Sequence, residues 1–220
     1  MSGPGSVLWG VGCYDDGARR VPWEISHEEI QRAMGAAKTE LEQLGIGAGS
    51  RVLFCSMLSE AGHFWPLMIG AMLAGAQQSC ADANAGEATR VAMFTRLIDF
   101  DAVFGVTPAL LDGLDELGVT YAEVFGRVRI VGARPGAYER LVEAGLAPHH
   151  FVLAGPAVAL AREPGGPARA DTREWRFDVD GDVVCVTSLR PRATTFERAR
   201  TAVRGEIVDG GIVPSAWKEQ

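Results

Sequence analysis

Residues Ala102-Val103-Phe104-Gly105-Val106-Thr107-Pro108 decide the reading of this chain. The apolar run is too short for a helix and carries no charge, so it reads as a buried strand. Pro108 then sits where a helix tolerates it, in the first turn, and predicts a helix from Pro108 to Leu117. On the other side, Glu87 to Asp99 has helical texture. A short buried strand between two helices is the unit of a parallel sheet. The same alternation continues outward. Arg51 to Cys55 reads as a strand, 61 to 75 as an apolar helix, Val128 to Val131 as a strand, Gly136 to Gly145 as a helix and Phe151 to Ala154 as a strand. Upstream, Ser26-His27-Glu28-Glu29 is a capping box. It opens a helix with Ile30, Met34, Ala37, Leu41 and Leu44 at helical spacing, ended by Gly45 and Gly47. Within Phe64 to Ala76, interrupted by Pro66, the small residues Gly70 and Ala74 lie four apart, where they let a neighbour approach closely.

After residue 160 the texture changes. Glu163-Pro164-Gly165-Gly166-Pro167 reads as a loop, and the rest as short strands. Trp175 to Val179 and Val183 to Thr187 flank Asp180-Gly181, a hairpin signal of type I′. Glu206 to Val208 and Ile212-Val213 flank Asp209-Gly210-Gly211. The expectation is an α/β fold: a mostly parallel sheet with helices on both faces over 1–160, followed by a small β lobe over 161–220.

A chain of 220 residues with 47% hydrophobic and 22% charged residues buries a real core and is not of disordered composition. Its formal net charge of −7 repels phosphate backbones and anionic lipid, so neither nucleic acid nor membrane is expected as a partner. The apolar stretch at 64–76 is shorter than the about 20 residues a membrane helix needs. Cys13, Cys55, Cys80 and Cys185 show no Cys-x-x-Cys spacing, and Met1 to Ser6 shows no basic residue or signal-length apolar run. Reduced thiols and a cytoplasmic location are expected.

Candidate chemistry is sparse. Gly12 and Gly17 have phosphate-loop spacing, but Ala18 and Arg19 stand where Lys and Ser/Thr belong, and Asp15 and Asp16 repel phosphate. Gly10-Val11-Gly12 opens a dinucleotide fingerprint that Asp15 breaks. Asp178, Asp180 and Asp182 lack the glycine position and final glutamate of a calcium loop, and a hairpin explains them better. His149-His150 lack the spacing of a helical metal motif and read as a surface pair before a strand; His63, beside Phe64 and Trp65, reads as a packed or capping residue. No Gly-x-Ser-x-Gly nucleophile motif is present.

From Val7 to Gly211 the order of segments resembles the phenylacetate-coenzyme A ligase branch of the adenylate-forming enzymes. Leu44 to Val52 looks like that family's "GvrpGDrV". Thr89 to Phe100, followed by Val106-Thr107-Pro108-Ala109, is similar to its segment leading to "TPS". Val128 to Pro135 looks like "lrvgifGaEP", and Gly155-Pro156-Ala157 through Gly166 looks like the segment after its magnesium-binding glutamate. Most specific is Asp182 to Thr201, similar to "GelvvTsL.r.a.P..RyrT".

The resemblance implies departures at the family's catalytic positions. Trp9 to Ala18 matches its Ser/Thr/Gly-rich phosphate loop but has no serine or threonine. Ala154 falls at the magnesium glutamate and Val203 at the ribose aspartate of "RTGD". The lid domain with its lysine, and the segment before the phosphate loop, have no counterpart in this sequence. Adenylation depends on a charged clamp around phosphates and metal. The expectation is therefore a shortened, catalytically degenerate relative with no cofactor and no metal, which docks a partner enzyme, a carrier protein or itself as a homodimer. The alternative is an enzyme or ligand-binding protein for an aryl or acyl carboxylate or its coenzyme A thioester, with a pocket at Gly132, Ala133, Ala154, Gly155 and Pro156, where small residues follow two parallel strands. Those small residues equally suit tight packing of the β lobe on the sheet.

Overall fold

A computed structural model describes residues 7–215; the sequence reading of Met1 to Ser6 lies outside them. The chain opens with an antiparallel hairpin, β1 (Leu8–Asp15) and β2 (Arg20–Ser26). Gly10 and Gly12 lie within a strand, and the register shift between Leu8 and Gly10 blurs its alternation. Ser26 then caps α1 (His27–Gln43), its hydroxyl accepting from Glu29 N while the Glu29 carboxylate accepts from Ser26 N.

A six-stranded sheet follows, ordered β4-β3-β5-β6-β7-β8. It comprises β3 (Arg51–Cys55), β4 (Gln77–Ala81), β5 (Ala102–Val106), β6 (Ile130–Ala133), β7 (His149–Ala154) and β8 (Ala157–Leu160). Every neighbouring pair is parallel except β7 with β8. Its helices are α2 (Ala61–Leu73), α3 (Ala88–Leu97), α4 (Pro108–Glu116), α5 (Tyr121–Phe125) and α6 (Ala137–Glu143). Strand alternation divides the core. Leu53, Cys55, Val103, Val131 and Ala133 face the layer of α3 to α6, while Val52, Phe54, Ala102, Phe104 and Ile130 face α1 and α2. Gly105 resets that alternation. It takes φ 90°, the β5–β6 register shifts between Phe104 and Val106, and Val106 joins the Val103 side.

The C-terminal lobe is a four-stranded antiparallel sheet ordered β12-β11-β10-β9: β9 (Trp175–Asp180), β10 (Val183–Ser188), β11 (Ala199–Val208) and β12 (Gly211–Pro214). It packs Phe177, Val184, Val186 and Ile212 on Val152, Ala154, Ala157 and Ala159 of β7 and β8. The first hairpin turns one residue later than expected: Asp180 pairs with Val183, leaving Gly181-Asp182 as the loop with Gly181 at φ 67°. Only its first position needs a positive φ, which fits a glycine-first loop better than type I′. The second hairpin, with Asp209 and Gly210 both at positive φ, is the type I′ case.

Candidate functional site

Parallel sheets place ligands at the carboxyl ends of their strands. At this end, the turn after β3 carries Glu60, α2 carries His63 and Phe64, Thr107 follows β5, Arg134 follows β6 and Gly155 follows β7. Arg134 clamps Glu60 bidentately, Nη1 to Oε1 at 2.6 Å and Nη2 to Oε2 at 2.7 Å, with the guanidinium 5.5 Å from the Phe64 ring centroid. Burial alone would raise the Glu60 pKa, but the Arg134 hydrogen bonds and charge hold it below the usual value. His63 is buried against the edge of Trp23, and its Nε2 lies 2.7 Å from the Gly155 carbonyl. Desolvation pushes its pKa down to about 4, so the ring is neutral at pH 7. A carbonyl only accepts, so Nε2 carries the proton and Nδ1 is an acceptor. His63 Nδ1 and Arg134 Nε are buried without a partner among the described residues. Thr107 donates to the Ala83 carbonyl at 2.8 Å while capping α4.

The expected pocket residues all lie near this end, in a tightly filled region. Gly132, on β6, has no room for a side chain: a Cβ there would lie 2.7 Å from the Phe104 ring. Ala133 and Ala154 are fully buried in two different clusters, the α3–α6 layer and the lobe core. Gly155, at φ 60°, lies against Val186 and Thr201. Pro156 is the member that lines a cavity, one of about 430 Å³ between α1, α2, β8 and the 161–175 segment.

The loop of the β1–β2 hairpin is closed on itself. Gly17 N donates to Asp15 Oδ1 at 2.8 Å, and Ala18 N and Arg19 N donate to Asp16 Oδ1 at 2.8 and 2.9 Å. These backbone bonds hold the Asp16 carboxyl below its usual pKa. A phosphate loop works by aiming backbone N–H groups at the anion. Here two carboxylates already occupy those donors.

A second charged cluster escaped the sequence reading. Glu29 of α1, Glu174 before β9 and Arg192 after β10 are nearly buried, with side chains 3%, 7% and 10% exposed. Arg192 bridges Glu29 at 3.2 Å and Glu174 at 2.5 Å, stacks 3.8 Å above Trp175, and shares Glu174 with Arg32. Burial pulls the Arg192 pKa below its usual value. Arg32 lies 142 residues from Glu174 in sequence, a distance no local spacing signals. Arg134 did leave a trace, since it stands where the resembled "GaEP" has glutamate, and a reversed charge needs a new partner.

The remaining candidates resolve into structure. His149 and His150 are buried within β7, which corrects the expected surface pair. His149 Nδ1 meets the Ala161 carbonyl at 2.9 Å, and His150 stacks 3.7 Å from Tyr138, its pKa pushed down to about 4 by desolvation. Asp178, Asp180 and Asp182 pair across the sheet with Arg198, Arg200 and Arg204. No group of three or more His, Cys, Asp or Glu is arranged to hold a metal among the described residues. The four cysteines are free, and burial pushes the Cys55 thiol up to about 12. No described helix is long and apolar enough to cross a membrane.

A scan against protein-family models finds no match, and a search of curated proteins finds none either. Solved structures do match. An open conformation of 2-hydroxyisobutyryl-CoA ligase, in complex with 2-HIB-AMP and CoA, superposes with TM-score 0.68 at 15% identity, over 93% of this chain and 53% of that one. A double mutant of o-succinylbenzoate CoA synthetase from Bacillus subtilis, bound to a product analogue, gives TM-score 0.62 at 12% identity, over 94% and 48%. An acyl-CoA synthetase (AMP-forming)/AMP-acid ligase II-like protein from Dyadobacter fermentans gives 0.58 at 18%, over 96% and 61%. The chain thus has the fold of part of the AMP-forming acyl-CoA ligases, and spans about half to three fifths of their length.

Proposed function

We propose that this chain is a ligase-like binding protein that does not form adenylates, derived from the phenylacetate-coenzyme A ligase branch, and that it acts by docking a partner enzyme, a carrier protein or a second copy of itself. One observation carries the reading. At the end of the stretch that resembles the family's phosphate loop, and at the residue after it, the N–H groups of Gly17, Ala18 and Arg19 are bonded to Asp15 and Asp16. An incoming triphosphate would have to displace two carboxylates from those donors and then face their charge. Ala154 and Val203, at the matched magnesium and ribose positions, offer no oxygen ligand in their side chains. Titration calorimetry with ATP and magnesium is expected to show no saturable heat, and pyrophosphate release no turnover with a panel of carboxylic acids. Micromolar ATP binding, or turnover with any acid, refutes the reading.

Docking draws support from exposed apolar side chains along β1 and the neighbouring turn and helix: Val7, Leu8, Val11, Leu58 and Trp65. The Trp9 and Trp65 ring centroids lie 6.5 Å apart. Such patches are commonly interfaces. Light scattering at high micromolar concentration is expected to give a dimer or larger species unless a partner is present. A monodisperse monomer that binds no partner argues against it. The proposed setting is the cytoplasm, in keeping with four free thiols.

A second reading, binding of an aryl or acyl carboxylate or its coenzyme A thioester near Gly132, Ala133, Ala154, Gly155 and Pro156, is favoured by Arg134. Its guanidinium already holds a carboxylate, that of Glu60, at the carboxyl end of β6. A thermal-shift panel of coenzyme A and aryl acids tests it.

A further inference from the structure

We infer that the open edge of β4 pairs with the same edge of a second copy of the chain, joining two six-stranded sheets into one across a two-fold axis at Ser79. This pairing is one case of the proposed docking, on an edge other than the β1 patch, and it does not depend on the loss of ATP chemistry. Sheet edges are templates for pairing, and folds blunt them with charge, proline, bulges or cover. The other edges here are blunted. β9 carries Arg176, Asp178 and Asp180, β1 has the register shift between Leu8 and Gly10, β2 contains Pro22, β12 ends in Pro214, and a bridge to Arg169 covers Leu160 of β8. β4, Gln77-Gln78-Ser79-Cys80-Ala81, has no charge and no proline, and it pairs with β3 without a shift.

The backbone hydrogen bonds of β4 select the occupant. Gln77 N donates to the Ser50 carbonyl at 2.8 Å, and the Ala81 carbonyl accepts from Ser56 N at 3.0 Å. Residues 77, 79 and 81 therefore turn their backbone groups toward β3, and strand alternation turns those of Gln78 and Cys80 off the sheet. In an antiparallel copy these two residues are each other's complement. Gln78 falls opposite the partner's Cys80 and Cys80 opposite the partner's Gln78, each pair exchanging both of its N–H···O=C bonds. Ser79 then meets itself on the axis as a non-hydrogen-bonded pair. Because the strand is uncharged, identical copies meet there without like charges opposed.

The flanks of this edge suit a second copy as well. Trp65 and Met68 of α2 line a hollow together with Cys80, and Met72 follows one turn along the same stripe. Arg90 of α3 borders that hollow, and Met93 and Leu97 continue its side of the helix. Trp65, Met72, Met93 and Leu97 are all exposed. A two-fold axis through Ser79 sets α2 beside α2 and α3 beside α3, so these apolar side chains cover one another.

Light scattering and sedimentation equilibrium of the full chain are expected to give a dimer. Cys80→Lys sets like charges diagonally across the axis and should weaken it at least about tenfold. Gln78→Pro, which removes an N–H that β3 does not use, serves if that variant does not fold. Ser79→Cys in a Cys80→Ser background should oxidise to a cross-linked dimer, and Cys80→Ser alone should not, since a non-hydrogen-bonded pair holds its Cα atoms about 4.5 Å apart, within disulfide reach. A chain that stays monomeric, a dimer that both β4 variants leave intact, or a Ser79→Cys chain that does not cross-link overturns the pairing. If Val11→Asp dissolves the dimer and the β4 variants do not, docking stands on the β1 patch and the β4 pairing falls. A monomer that binds another protein likewise keeps the docking and removes the pairing.

Discussion

At Gly155 the chain leaves β7 with φ 60°, and its carbonyl meets a histidine ring 92 residues earlier in sequence. Burial then decides that residue's protonation. His63 titrates near 4 in the folded protein, against 6.5 for the ordinary side chain, because desolvation disfavours the imidazolium. The unfolded chain therefore binds more protons between those values, and stability rises with pH across that window. Above pH 6.5 the contribution is fully present, and it is lost as pH falls toward 4. For His63 the span corresponds to on the order of 3 kcal/mol. Urea unfolding at pH 7 and pH 4.5 should show wild type losing clearly more stability on acidification than His63→Leu. Equal losses in both proteins would refute the assignment. The sequence already marked His63 as packed rather than catalytic, since it sits beside Phe64 and Trp65. It did not reveal the acceptor left on Nδ1, because that depends on a remote carbonyl.

Helices α1 and α2 cross where Gly70 removes the side chain. A Cβ there would lie 2.8 Å from both Ala37 Cβ and Lys38 N. The four-residue spacing of Gly70 and Ala74 in the sequence points to this close approach. Gly70→Ala forces the two helices apart and should cost about 1–3 kcal/mol despite alanine's better helix propensity. A midpoint shift in urea of the opposite sign, toward higher stability, would show that the pair has slack. The elements legible in the sequence share one property: their signal is local. Capping at Ser26, Pro108 at a helix start and the uncharged β5 run are each decided within a few residues. What was missed is set by neighbours. β4, Gln77-Gln78-Ser79-Cys80-Ala81, has no apolar face to read because it is the sheet's edge strand. β8 is a four-residue Ala-Val-Ala-Leu run that becomes a strand by folding back on β7, and β1 draws its regularity from pairing with β2. The hairpin at Asp180-Gly181 was found but slipped by one residue, since either Asp-Gly or Gly-Asp can make the turn.

The parts of the molecule are joined by the Glu29–Arg192–Glu174 cluster, which links α1 to both flanks of β9 and β10. The sequence marks Glu29 as a capping residue but not the ion pairs, because a buried pair between distant segments looks in sequence like ordinary surface charges. Its energetics follow from who is left behind. Glu174→Leu strands Arg192 in a nearly buried position with only Glu29 at 3.2 Å, and removing one partner of a buried pair costs about 3–5 kcal/mol. Glu29 is not stranded in the converse case, since the amides of Ser26 and Ala193 donate to it at 2.8 and 2.9 Å. Arg32 likewise keeps Glu28 at 2.8 Å when Glu174 is lost. The double variant Glu174→Leu, Arg192→Met therefore leaves Glu29 as the one buried charge of the cluster, still hydrogen-bonded by two backbone amides, and lays an apolar side chain on Trp175 in place of the guanidinium. It should recover most of the stability that Glu174→Leu loses, with a coupling of about 2 kcal/mol or more in a double-mutant cycle read by urea unfolding. If the two losses simply add, Arg192 is being stabilised by solvent and not by its carboxylates, and the cluster does not hold the lobe to α1.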